Sequence, residues 1–188
     1  MGENINDNTI IRSRRKTISL HINDEGELIV RAPYYASKQR IRRFIQEKKH
    51  WIEAKQQAMR YQSKQRDYMQ QLLNKEAIQR TKKRARSYFK KRLNDYAEHY
   101  GYTYGAMRLS GAKTRWGSCS ADNTIRLNWK LMFADPRVID YVVVHELVHT
   151  RYKNHQKKFW SAVACIHPSY KEDRAWLKDH AYLLSISS

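Results

Sequence analysis

The sequence predicts an α+β fold, on two observations. Short segments at residues 16–22, 27–31 and 124–129 alternate apolar and polar side chains with period two, as half-buried strands do. Longer segments, about 74–100 and 136–152, repeat apolar residues every three to four positions, the spacing of a helix face. At 188 residues the chain fits one domain, or one domain with a helical annex.

In chain order, residues 1–9 are polar and read as a loose tail. The strands at 16–22 and 27–31 flank a turn at 23–26, a hairpin signal closed by Pro33. Ser37 is placed to cap a helix with Ile41, Phe44, Ile45 and Ile52 on one side and Arg40, Arg42, Arg43, Lys48 and Lys49 on the other. A Lys/Gln/Arg-rich stretch follows at 55–71. The 74–100 helix carries Ile78, Ala85, Tyr88, Phe89, Tyr96 and Tyr100 near one stripe and stops at Gly101. Strand character returns at 102–110 and 124–129. Asp135 and Pro136 form a helix start, N-cap then first helical position. The helix from Pro136 buries Val138, Ile139, Val142, Val143, Leu147 and Val148. Short helices are expected after His155 and at 172–180, interrupted by Pro168. The chain thus divides into a tail (1–9), a β-hairpin with a basic helix (10–73) and a core (74–188).

Composition removes several classes. Hydrophobic residues make up 41% and aromatics 12%, too many for a disordered polyelectrolyte. No run approaches the 18–20 apolar residues, roughly, that span a bilayer, and the first residues lack the pattern of a secretory leader. Two cysteines, Cys119 and Cys165, exclude a disulfide scaffold. A cytoplasmic protein with reduced thiols and no membrane partner is expected. The net charge of +19 is uneven: residues 1–100 hold 24 Lys+Arg against 11 Asp+Glu, a net of +13. Such a surface attracts phosphate backbones, so nucleic-acid association through the basic N-terminal half is a candidate interaction.

The chemistry concentrates in His145-Glu146-Leu147-Val148-His149, an HExxH pattern inside the 136–152 helix. Residues four apart share a helix face, so both imidazoles meet one ion from the same side. Glu146 points to the adjacent sector, where it reaches water at the ion without being a ligand. His155, six residues past His149 and beyond a turn at Lys153 and Asn154, is the third candidate ligand. Three histidines and one open position for water make a catalytic Zn²⁺ site, with Glu146 as general base. His21, His50, His99, His167 and His180 lack such support and read as structural or surface residues. Phe159 and Trp160 are expected to pack beneath the ligands.

The segments Arg115-Trp116-Gly117-Ser118-Cys119, Ile125-Arg126-Leu127-Asn128, Tyr141 to His149, and Asn154-His155 with Phe159-Trp160 resemble the YgjP-like metallopeptidase family. Arg14 to Leu20, Val30 to Pro33, Trp51-Ile52, Pro168 to Lys171 and Trp176-Leu177 carry the same resemblance, which covers about residues 10–180. The family is similar to the SprT and WLM zinc metallopeptidases. It implies a zincin-like core, a small antiparallel sheet packed on the active-site helix, and hydrolysis of peptide or protein substrates. It also implies that the 124–129 strand is an edge at the rim of the cleft, where an extended peptide adds by main-chain hydrogen bonds. Arg115, Trp116 and Asn128 are the candidate substrate-binding residues there; packing and ion pairing are the competing roles for Arg115 and Trp116. Cys119 is either a nucleophile, a fourth ligand or a buried thiol, and Asp140 either accepts from an imidazole or is solvated. Two other activities fit: a DNA-recruited protease acting on DNA-bound proteins, as SprT and WLM relatives include, and a pyrophosphatase-like hydrolase of nucleoside triphosphates.

Overall fold

A computed structural model describes residues 3–5, 8–23 and 25–186. Asp24 of the predicted 23–26 turn, and residues 1, 2, 6 and 7 of the predicted tail, lie outside the described residues. The chain divides into two compact units, Met1–Asp67 and Tyr68–Ser188.

The first unit is built on a four-stranded sheet in the order β1-β2-β4-β3. Its strands are β1 Glu3–Ile5, β2 Asn8–Ser13, β3 Ser19–Ile22 and β4 Leu28–Pro33. The hairpin β3/β4 is antiparallel, as its alternation predicts, but β4 also pairs in parallel with β2, which pairs with β1. The tail reading is corrected here, since residues 3–5 and 8–9 are strand. Polarity was their only local signal, and sheet pairing is a non-local event that polarity does not report. Leu28, Val30 and Ala32 are buried while Arg31 between them is exposed. They meet Ile41 of α1 (Lys38–Glu47) and Ile52 of α2 (Lys49–Leu72) in one core. Ser37 caps α1, its Oγ accepting the Arg40 N–H at 3.2 Å. Arg12 donates to the carbonyls of Pro33 and Ala36 at 3.1 and 2.8 Å, which satisfies the reversal between sheet and helix. The Lys/Gln/Arg-rich stretch is helical, within α2.

In the second unit α3 spans Lys75–Tyr100; Gly101, in the left-handed region at φ 66°, terminates it as read from the sequence. The sheet comprises β5 Met107–Ser110, β6 Gly117–Cys119 and β7 Ile125–Asn128 in the order β5-β7-β6. Two expectations are corrected. The sheet is mixed, β5 lying parallel to β7 and β6 antiparallel. The 124–129 segment supplies the central strand β7, with Ile125, Leu127 and Asn128 all fully buried; the edges are β5 and β6. A residue pattern reports burial on a strand's faces, not whether a second neighbour pairs at its side.

A 3-10 segment Trp129–Phe133 leads to α4, Pro136–Val148. Asp135 makes no side-chain cap bond, and its carbonyl accepts the Val138 and Ile139 N–H groups instead. Helices α5 Lys157–Ile166 and α6 Tyr170–Asp179 and a 3-10 segment Ala181–Ser185 complete the chain. Nine of thirteen α4 residues are buried, because α3, α5, α6, β6 and β7 all pack against it; a helix that is apolar all round is a central one. Asp140 accepts a bidentate pair from Arg92 of α3, both bonds 2.7 Å, so it neither serves an imidazole nor stands solvated. The fold class is α+β, with the small sheet packed on the helix that carries the candidate site.

Candidate metal centre

Helix α4 ends at Val148, four residues before the expected stop, and this shapes the site. Thr150 Oγ1 and Thr150 N–H both donate to the Leu147 carbonyl, at 2.8 and 3.0 Å, drawing it from the helical ladder. His149 becomes the C-cap, and the chain turns through Lys153 and Asn154 to bring His155 back over α4.

The three predicted ligands meet. His155 Nε2 stands 3.1 Å from His145 Nε2 and 3.1 Å from His149 Nε2, and the ligand atoms all lie within 4.8 Å of one another. Tetrahedral Zn–N bonds of about 2.0–2.1 Å would set nitrogens about 3.3 Å apart, so the spacing fits a shared ion. Protonation fits too. His149 Nδ1 lies 2.9 Å from the Tyr152 carbonyl; a carbonyl only accepts, so the proton sits on Nδ1 and Nε2 presents a lone pair to its neighbours. Burial, followed by the neighbouring imidazoles, lowers the His145 pKa to about 3, and burial lowers that of His149. Neutral imidazoles are the form that ligates. Tyr141 Oη is 3.4 Å from His145 Nδ1 and orients the second ring.

Beneath the ligands sits Phe159, fully buried, its ring centroid 4.9, 4.4 and 4.7 Å from those of His145, His149 and His155. Trp160 stacks on His155 at 5.5 Å and on Tyr170 at 5.4 Å.

Glu146 is 5% exposed. Burial pushes its carboxyl up to about 8, and the charge of Arg115 pulls the other way. It packs against β6: a Cβ on Gly117 would stand 2.5 Å from Glu146 Oε1. Gly117 is therefore needed for close approach rather than for backbone freedom.

Of the candidate substrate-binding residues, Arg115 is exposed and near enough to act on Glu146 electrostatically. Trp116 is half-buried against the core, its indole donating to the Leu177 carbonyl at 3.3 Å. Asn128 is fully buried, so its assignment as a substrate contact is corrected. Its amide donates to the Ala112 and Arg115 carbonyls at 2.8 and 3.0 Å, holding the loop that leads into β6. Cys119 is outside the ligand cluster; its half-buried Sγ contacts the Ser120 carbonyl at 3.6 Å, and burial raises its thiol pKa. His167 is buried, its Nε2 bonded to Asp173 at 2.6 Å. Sequence reasoning missed Gly117 and Tyr141. Tyr141 left a signal, an aromatic four residues before a ligand on one helix; Gly117 opens β6, a three-residue strand that no local pattern marks.

A model of the YgjP-like metallopeptidase domain matches residues 16–78 and 63–180. The chain belongs to the YgjP-like metallopeptidase family. Two solved structures are similar to the YgjP-like chain, both metallopeptidase zymogens. Abylysin of Pyrococcus abyssi is 22% identical, with a TM-score of 0.44 over 48% of this chain and 92% of that one. Jannalysin of Methanocaldococcus jannaschii is 24% identical, with a TM-score of 0.41 over 48% and 91%. No curated protein matches the YgjP-like sequence. The family implies a divalent metal, and in this YgjP-like domain His145, His149 and His155 form the cluster able to hold one.

Proposed function

We propose that this YgjP-like domain is a zinc-dependent peptidase that hydrolyses peptide bonds with Glu146 as general base. The observation that carries this reading is the convergence of three imidazole nitrogens, two of them from the helix that also carries the buried Glu146, with no carboxylate or thiolate in the cluster among the described residues. An all-imidazole donor set favours zinc over the oxygen-seeking magnesium. A zinc ion held there supplies Lewis acidity toward a carbonyl oxygen and toward water. Glu146 takes the proton of the attacking water on a carboxylate oxygen and passes it to the leaving amine nitrogen. Its burial keeps it a stronger base than an exposed glutamate, while Arg115 holds back full neutralisation. Strand β6 has no strand on its outer side among the described residues. An extended peptide added there would run beside Gly117 and so beside the base. The peptide-binding edge is thus β6 rather than β7. The free thiols of Cys119 and Cys165 suit a reducing, cytoplasmic setting.

The test compares zinc-loaded wild type with Glu146→Gln on unfolded protein, DNA-bound protein and nucleotides. The variant should keep its zinc and lose about 10²–10⁴ in turnover of the protein substrates. Equal turnover by the variant would remove Glu146 from its role. Phosphate release from nucleotides without peptide cleavage would overturn the peptidase reading.

A further inference from the structure

A second cluster of charge lies in the same unit, and the metal centre uses none of it. From Arg80 to Lys91, α3 carries Arg80, Lys82, Lys83, Arg84, Arg86, Lys90 and Lys91 and no acid. Arg80 pairs with Glu76 and Lys91 with Asp95, both on α3 itself. Lys82, Lys83, Arg84, Arg86 and Lys90 make no ion pair among the described residues. Several of these stand three or four residues apart, where like charges repel and weaken a helix. A helix that concentrates such repulsion gains stability when a polyanion lies along it.

Beside this face, α3 and β5 enclose a cleft of about 540 Å³ lined by Gln79, Lys82, Lys83, Arg86 and Ser110, with Trp129 in its wall. Pockets for small organic ligands are mostly apolar; here Lys82, Lys83 and Arg86 line one side, Leu109 and Gly111 complete the wall, and no carboxylate is present. Lys82 Nζ is held 5.5 Å over the Trp129 ring. Ser110 Oγ accepts the Ala112 N–H at 3.1 Å, which leaves its hydroxyl proton to donate. Trp129 is only 1% exposed, so it gives a base no face to stack on. The cleft thus offers charge and hydrogen-bond donors to oxygen anions, and no exposed aromatic face on which a base could stack.

We propose that α3 and its cleft with β5 form a nucleic-acid site that binds the phosphodiester backbone without regard to sequence. Lys82 to Lys90 spans about 12 Å of helix, and each DNA strand presents a phosphate every 3.4 Å of axis, roughly. The stripe thus faces three or four consecutive phosphates. A run of cations with no acid among them over this length suits a polyanion of uniformly dense charge better than the sparser, irregular carboxylates of an acidic protein segment.

The experiment measures binding of the full chain to two labelled duplexes of unrelated sequence across a salt series. The variant Lys83→Ala/Arg86→Ala/Lys90→Ala changes exposed residues only. A control, Lys38→Ala/Arg42→Ala/Lys55→Ala, removes equal charge from exposed positions on α1 and α2. Wild type should bind both duplexes equally. The α3 variant should lose at least roughly tenfold in affinity at about 0.1 M salt, and its slope of log K against log salt should flatten by about 2.7, or 0.9 per phosphate contact. The control should lose less than about threefold, and melting of both variants no lower than that of wild type confirms their folds. Absence of wild-type binding, equal losses in both variants, or competition by polyglutamate as strong as by DNA at equal charge would each overturn the site.

Discussion

Replacing Gly117 by alanine perturbs the proposed base, Glu146, without touching the three histidines. The added Cβ would stand 2.5 Å from Glu146 Oε1, 2.8 Å from Cγ and 2.9 Å from Cδ. Ordinary contact begins near 3.4 Å, so the nearest overlap is about 0.9 Å. Because the stem of the side chain is struck as well as its tip, rotating the carboxylate does not relieve it. The α4 backbone is fixed by the core on several sides, so either Glu146 leaves its position or β6 moves away from α4. Overpacking of this kind costs about 1–3 kcal/mol, and misplacing a catalytic group by about 1 Å costs on the order of 10²-fold in rate. The expected result is a roughly hundredfold fall in peptide hydrolysis with zinc content unchanged, measured by turnover of an unfolded protein and metal analysis of the same sample. A rate within about twofold of wild type would refute the contact as the device that positions the base. Loss of zinc would show that the strain falls on the ligands instead.

Two further predictions concern the same helix. In the metal-free protein burial raises the Glu146 pKa to about 8, against about 4.3 in the unfolded chain. Between those values the folded state binds more protons than the unfolded state, so the contribution of Glu146 to stability falls as pH rises. Urea unfolding of metal-free Glu146→Gln should therefore match wild type near pH 4 and exceed it by about 2–5 kcal/mol near pH 8; a difference independent of pH refutes this. Tyr141→Phe removes the hydroxyl beside His145 Nδ1 and should weaken zinc binding by about 10–100-fold in a chelator competition, whereas unchanged affinity would leave Tyr141 as packing only.

Local chemistry was legible in the sequence, and long-range pairing was not. The His145 and His149 spacing works through a single helix, so the one-face argument needs no tertiary knowledge. His155 was accessible because a turn separates it from His149 by only a few residues. Ser37 and Gly101 likewise act on backbone groups within their own helix ends. By contrast, the parallel pairing of β2 with β4 and the central place of β7 depend on partners many residues away. Asn128 shows what that costs a site assignment. Its place on the strand that the resemblance sets at the rim of the cleft suggested contact with substrate, yet its amide is consumed by carbonyls 13 and 16 residues earlier in the chain. Asp140 was misread for the same reason, its partner Arg92 lying 48 residues away. The early end of α4 was hidden because Thr150 competes for a carbonyl that apolar periodicity does not register.

Phe159 belongs at once to the hydrophobic core and to the underside of all three imidazoles. The same ring therefore transmits any change of core volume to the three imidazoles. Substitutions at Phe159 would in a mutational scan disturb the histidines as well as the fold. The room for sequence drift in this half of the molecule is then set by tolerance of ligand geometry, and a family member with an altered core should carry compensating changes around the histidines.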